Sequence, residues 1–218
     1  ILALLAGGPV CILLLGRNAA HPLVISLVLA TVALVLYGYD IVHLYRSRKR
    51  PKIELNARMA AWALGCLGIA GVALLGSAAL GEIERRIGAL MFLFAFGWLG
   101  GLGLAKLYKI VAFLTWLECY GPLLGKRPTP RVQDLVDERR ALPWFQLYFA
   151  SVLAAPAAAF FDATPIFRIA AGGMLVATAK LCFELVLIRT LSSVPPAMLP
   201  EAGSARPRLF RPALQRSR

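Results

Sequence analysis

The chain has 218 residues, is 59% hydrophobic and 16% charged, and has a mean hydropathy of +0.71. A water-soluble domain carries about 25% charged residues, so this composition excludes a soluble core and points to an all-α, polytopic transmembrane bundle. The net charge of +13 does not indicate nucleic acid, because the cations collect in junctions and in the tail, where membrane insertion uses them to set orientation, and no nucleic-acid-binding motif accompanies them.

The apolar runs predict about six spans, each near the roughly 20 residues that cross a hydrocarbon core. The first is Ile1 to Gly16. Since the chain opens at Ile1 inside an apolar run, without methionine or signal-peptide features, the true N-terminus is expected upstream. The second runs from Pro22 to Tyr45, with Pro22 suited to a first helical turn. It ends in a burst of cations at Arg46, Arg48, Lys49, Arg50, Lys52 and Arg58. The third, Ala60 to Leu80, is rich in Gly and Ala, which lets helices approach closely. The fourth crosses from about Gly88 to Lys106, and its pattern continues to Tyr120. That is too long for one perpendicular crossing, so tilting, kinking or protrusion is expected. The fifth is Trp144 to Phe161 and the sixth Pro165 to Leu191.

The loops alternate in charge. One set holds Arg46 to Arg58, then Lys126, Arg127, Arg131, Arg139 and Arg140, then the tail from Arg206 to Arg218. The other holds Arg17, the mixed group Glu82, Glu84, Arg85 and Arg86, and Asp162. The basic set marks the cytoplasmic side, which places both observed termini there. Two segments lie outside the spans. Val132, Leu135 and Val136 fall at helical spacing among charges, which predicts a short amphipathic helix on the cytoplasmic surface through Leu142. Residues 192–218 carry Pro195, Pro196, Pro200, Pro207 and Pro212 among basic residues, and read as an extended basic tail following a bundle at 1–191.

Ionisable groups inside spans are expensive and are the default functional candidates. Here they are Asp40 with His43, and Lys180 with Glu184. Asp40 and His43 are three apart and share a helix face. They read either as a polar end near the interface or as a proton-relay or ligand position. Lys180 and Glu184 are four apart and are expected to pair with one another; a proton or ion pathway is the alternative. Arg168 and Asp162 are expected near the opposite surface, and Glu118 at an interface. No catalytic motif, phosphate loop or dinucleotide fingerprint is present. Gly100, Gly101 and Gly103 read as helix-packing residues. Cys11, Cys66, Cys119 and Cys182 have neither zinc nor disulfide spacing. The two histidines, His21 and His43, fall about 33 Å apart if both lie on one helix, too far to oppose each other across one haem. No cofactor or metal is therefore expected in this chain, and a haem would have to be shared with another chain or a segment upstream.

The segment Phe96-Gly-Trp-Leu-Gly-Gly-Leu-Gly-Leu-Ala-Lys-Leu-Tyr-Lys-Ile-Val-Ala-Phe-Leu-Thr-Trp116 is followed by Tyr120-Gly-Pro-Leu-Leu-Gly-Lys-Arg-Pro and by Asp134-Leu-Val-Asp-Glu-Arg. Over about Phe92 to Leu142 this resembles bacterial polytopic proteins distantly similar to haem-copper oxidase subunit I and to NnrS-type membrane proteins. The resemblance implies a bundle of the bacterial inner membrane, associated with respiratory or nitrogen-oxide metabolism. Where some such proteins carry histidines before the Gly-Trp, this chain has Leu90 and Phe92, so no haem ligand carries over. The reading is a non-catalytic membrane subunit, held by the bilayer and by other membrane-protein subunits in an energy-transducing complex. The alternatives are a redox protein whose cofactor sits in a missing part, and a small-solute or proton transporter using Asp40, His43, Lys180 and Glu184.

Overall fold

The computed structural model describes residues 20–47, 53–126, 128–195 and 198–199. Its regular elements are helical, with no strand among the described residues. Helix α1 is Ala20–Arg46, α2 Leu55–Ala79 and α3 Ile83–Phe92; a π-helical segment, Leu93–Gly100, joins α3 to α4, Gly101–Tyr120. Two short 3-10 turns, Gly121–Leu123 and Val132–Leu135, precede α5, Glu138–Phe160, and α6, Thr164–Arg189. Five helical rods are long and apolar enough to cross a membrane: Val28–Arg46, Leu55–Ala79, Ile83–Leu123, Glu138–Phe160 and Thr164–Arg189. The protein is a polytopic transmembrane helical bundle. These rods correspond to the second to sixth expected spans; the first, Ile1 to Gly16, lies outside the described residues.

Each rod buries one stripe and leaves the other apolar. On α5 the buried positions include Ala141, Phe145, Tyr148, Phe149, Val152 and Ala155, the three-and-four spacing of a single helix face. All of these but Ala155 meet Met59, Ala63 and Cys66 of α2, Ala105 and Tyr108 of α4, and Ala177 and Leu181 of α6 in one core. The opposite stripes expose Val32 and Val35 on α1, Ile69 and Val72 on α2, and Ile169 and Leu175 on α6. Such surfaces would collapse in water and are satisfied by lipid tails. Helices α5 and α6 form an antiparallel pair, α4 packs on α2 and α6, and α1 leans on α2.

The long third rod, Ile83–Leu123, which is the fourth expected span, accommodates its length through the π-helical segment. A wide turn of this kind adds a residue per turn and shifts the helix's facing. Gly97 and Gly100 sit within it, and Tyr148 of α5 donates its hydroxyl to the Phe96 carbonyl at 2.7 Å, so the hydroxyl is satisfied inside the apolar layer. Tyr148→Phe keeps the ring and removes that donor. It is expected to lower stability by about 1 kcal/mol, measurable as a lower unfolding midpoint in detergent with an unchanged helical circular-dichroism spectrum; an unshifted midpoint would show that the bond contributes nothing.

The described residues of the two loop sets inferred from charge gather at opposite ends of the bundle. At one end Arg85 pairs with Asp162 at 2.7 Å and Arg86 pairs with Glu82. There α2 terminates at Gly81, whose φ of 69° is a backbone conformation glycine adopts without strain, and Glu82 N–H closes the turn on the Ser77 carbonyl at 2.9 Å. At the other, basic end, Glu54 before α2 receives Gln133 from the α4–α5 connection at 2.9 Å.

The expected amphipathic surface helix through Leu142 is not formed. Val132–Leu135 is a single 3-10 turn, and the chain becomes extended at Val136 and Asp137. Asp137 accepts the Arg139 and Arg140 N–H groups at 3.1 and 3.2 Å. It thereby caps α5, and a side chain with this role ends a preceding helix as it starts the next. Leu135 is fully buried instead of facing lipid. It packs with Cys119, Tyr120, Leu191 and Val194 in a small second core capping the basic end. Trp116 Nε1 donates to the Pro130 carbonyl at 2.6 Å and Tyr120 Oη to the Met198 carbonyl at 3.0 Å. The first residues of the expected tail are thus docked on the end of α4.

Candidate functional site

The charged side chains of the basic end form a belt across the helix ends. Lys109 Nζ meets Glu54 Oε2 at 2.7 Å. Arg189 Nη1 meets Glu118 Oε2 at 2.9 Å and the Thr115 hydroxyl at 3.2 Å, so Glu118 ties α4 to α6. Arg140 Nε meets Glu184 Oε1 at 2.7 Å, with the Arg140 side chain 47% exposed and Glu184 only 8%. Glu138 Oε1 accepts the Leu55 N–H at 3.0 Å, tying the start of α5 to the start of α2. Tyr108 Oη donates to the Asp137 carbonyl at 3.2 Å. Every pair joins two different elements. The belt therefore fixes the relative height of α2, α4, α5 and α6, a role single ion pairs on one helix cannot perform.

The expected Lys180–Glu184 pair is replaced. Glu184 turns toward α5 and takes the Arg140 guanidinium, whose fork offers a directed donor that an ammonium on the same helix does not. Lys180 is exposed and lies over the Trp144 ring, 5.4 Å from its centroid, a cation–π placement that keeps its stem on apolar surface and its charge toward the belt.

Asp40 and His43 lie near the basic end of α1, and both are exposed. The His43 ring stacks on Tyr39, with centroids 6.3 Å apart and planes 9° apart. On the same stretch the Tyr45 hydroxyl donates to the Ala57 carbonyl at 2.7 Å, which fixes the height of α1 against α2. Asp40 and His43 thus stand on a helix packed on α2, while Lys180 and Glu184 stand on α6, packed on α5 and α4. The four candidates fall into two groups, Asp40 with His43 on α1 and Lys180 with Glu184 on α6. His21 and His43 share helix α1.

Sequence reasoning missed Arg140, Glu54, Lys109 and Glu138 as belt members. A signal existed: Arg140 and Glu184 are equidistant in sequence from Asp162, at the apex of the α5–α6 turn, and an antiparallel hairpin with a tight turn places such residues at one height.

No family model, curated protein or solved structure matches the chain.

Proposed function

We propose that the chain is a non-catalytic integral membrane subunit that packs through α1 against a larger respiratory or energy-transducing complex, with the basic end in the cytoplasm. The observation that carries this reading is the state of α1. Among its described side chains Ala33 is buried, while Val28, Val35 and Tyr39 are largely exposed, as are Asp40 and His43. An apolar stripe alone is content with lipid. An exposed carboxylate elsewhere on the same helix, Asp40, is not: a charge on a membrane helix costs up to about 3 kcal/mol at the bilayer centre, and less toward the ends. A cationic or hydrogen-bonding group from a neighbouring subunit would offset that cost. The resemblance over Phe92 to Leu142 supplies the class of complex and the bacterial inner membrane, and the excess of cations in the loop sequences of the basic set supports the orientation.

A photoreactive residue at Val35, Tyr39 or Val42 is expected to form a discrete adduct with a second membrane protein in native membranes. The same residue at Val72 on α2 should yield lipid adducts only. Asp40→Asn should shift the assembly to lower mass on a native gel. Single cysteines at Leu124 and Gly81 in a cysteine-free background should label from the cytoplasmic and the outer side respectively. Adducts confined to lipid or to residues 1–16 of the same chain would remove the subunit reading, and reversed labelling would remove the orientation.

A further inference from the structure

At the basic end a cavity of about 480 Å³ opens between the start of α2, the middle of α4 and the α4–α5 connection. Its charged lining is two cations, Lys109 and Arg131, and two carboxylates, Glu54 and Glu138. Glu54 is engaged on both oxygens, with Lys109 and Gln133. The other two are not saturated. Glu138 uses Oε1 for the Leu55 N–H, and its Oε2 has no hydrogen bond among the described residues. Arg131 is held by its backbone N–H, which donates to Asp134 Oδ2 at 2.8 Å, and its guanidinium has no ion pair among the described residues. One open cation and one open anion therefore face the same cavity.

The apolar part of the lining matters as much. Phe113 lines the cavity and also belongs to the exposed stripe of α4, with Leu107, Ile110 and Leu114. Polar lining and hydrocarbon-facing surface are continuous through this ring. The site is at the level of the belt, at the basic end of the membrane-length rods.

We propose that this cavity binds the headgroup of a phospholipid carrying a phosphate and a primary ammonium, as in phosphatidylethanolamine. The phosphate meets Arg131 and Lys109, the ammonium meets Glu138 Oε2, and the acyl chains run along Phe113 and the α4 stripe. Charge balance selects this class. A purely anionic headgroup would bring a negative charge beside two carboxylates and leave Glu138 unmatched. A choline headgroup has no N–H to donate to a carboxylate. A guanidinium offers the planar fork suited to phosphate oxygens. The proposal does not rest on the subunit reading, since every residue in it belongs to α2, α4, α5 and the α4–α5 connection.

The test is native mass spectrometry of the full chain, delipidated in detergent, with dioleoyl lipids added singly at equal concentration. Phosphatidylethanolamine is expected to be retained at least tenfold more than phosphatidylcholine or phosphatidylglycerol. Arg131→Ala and Glu138→Gln should each abolish that preference, the latter keeping an oxygen for the Leu55 N–H. Arg58→Ala, an exposed cation outside the cavity lining, should leave it intact. Soluble glycerophosphoethanolamine at millimolar concentration should displace little of the bound lipid, because it lacks the chains. Equal retention of the three lipids, a preference for phosphatidylglycerol, or unchanged preference in both cavity variants would overturn the proposal. Full displacement by glycerophosphoethanolamine would assign the cavity to a soluble zwitterion and overturn the lipid. Were a variant to misfold, the ranking of the three lipids on the native chain still decides.

Discussion

Arg140→Ala is expected to destabilise the bundle by about 2 to 3 kcal/mol, and Glu184→Gln by about half as much. The asymmetry follows from burial. Glu184 is 8% exposed and has its carboxylate against α5, whereas Arg140 is 47% exposed. Removing arginine strands a carboxylate where water is scarce; removing the carboxylate's charge leaves a guanidinium that reaches solvent. Breaking a fully buried pair by deleting one partner costs about 3 to 5 kcal/mol, and the half-exposed arginine at the belt lowers that figure through solvent screening. The double variant should therefore cost less than its two single changes combined. Lys180→Ala should behave differently. Its ammonium sits over Trp144, so it should cost at most about 1 kcal/mol, with coupling to Glu184 near zero in a double-mutant cycle. Unfolding in mixed micelles by titration with a denaturing detergent, followed by circular dichroism, measures all of these. A larger coupling for Lys180 with Glu184 than for Arg140 with Glu184 would restore the same-helix pair and refute the belt.

That reversal marks where the sequence was legible and where it was not. The solvent, the helical class and the alternation of loops followed from apolar run length and cation placement, because both are constraints that a bilayer imposes locally along the chain. Five rods stand where five runs predicted them, with ends displaced by a few residues. The larger displacements, at Leu55, Ile83 and Glu138, occur where polar residues stand near the start of a helix ahead of its apolar run. The starts at Leu55 and Glu138 are fixed by the tertiary bond of Glu138 to the Leu55 N–H and by the local Asp137 cap, which hydropathy does not register. The three-and-four spacing rule found Lys180 near Glu184 but could not rank that neighbour against one on another helix. Hairpin register could have done so. Glu54 and Lys109, like Cys66 and Gly97, are nearly equidistant from the α2–α3 turn, and they meet. The π-helical segment had no comparable signal beyond excess length, since glycine and aromatic residues are common in any span.

Val132, Leu135 and Val136 show a second limit. Helical spacing across so few residues also describes a 3-10 turn that places its apolar side chains inward. The decision fell to Asp134 and Asp137, each of which binds backbone N–H groups beside it and so competes with continuous helix. A membrane-surface helix would have left Leu135 at the lipid boundary; in the fold it is one of the most deeply buried side chains, closing the protein end of the belt. The same loop supplies Arg131 and Gln133 to the cavity, so the polar chemistry at the basic end depends on the turn having formed in place of the helix.

Gly97→Ala is expected to destabilise the bundle by about 1 to 3 kcal/mol, while Gly103→Ala, also in the Gly-rich stretch, should be neutral or slightly stabilising. A Cβ on Gly97 would stand 2.9 Å from Cys66 Cβ and 3.0 Å from Leu93 Cδ1. Leu93 can change rotamer, but Cys66 Cβ is fixed to the α2 backbone, so relief requires the α2 and α4 rods to separate. Close approach of small residues is what drives association of membrane helices, where lipid tails are as apolar as the side chains, and a separation there loosens the core around Ala63 and Phe149 as well. Gly103 has nothing within 4 Å of its would-be Cβ, and there alanine only restricts the unfolded chain and improves helix propensity. Cys66→Ala keeps the offending Cβ and should not rescue Gly97→Ala; Cys66→Gly removes it and should recover part of the loss. Thermal midpoints of the four variants in one detergent separate the cases. Equal losses at Gly97 and Gly103 would mean that glycine acts here through the backbone, and that the π-helical segment rather than helix contact is what these residues maintain.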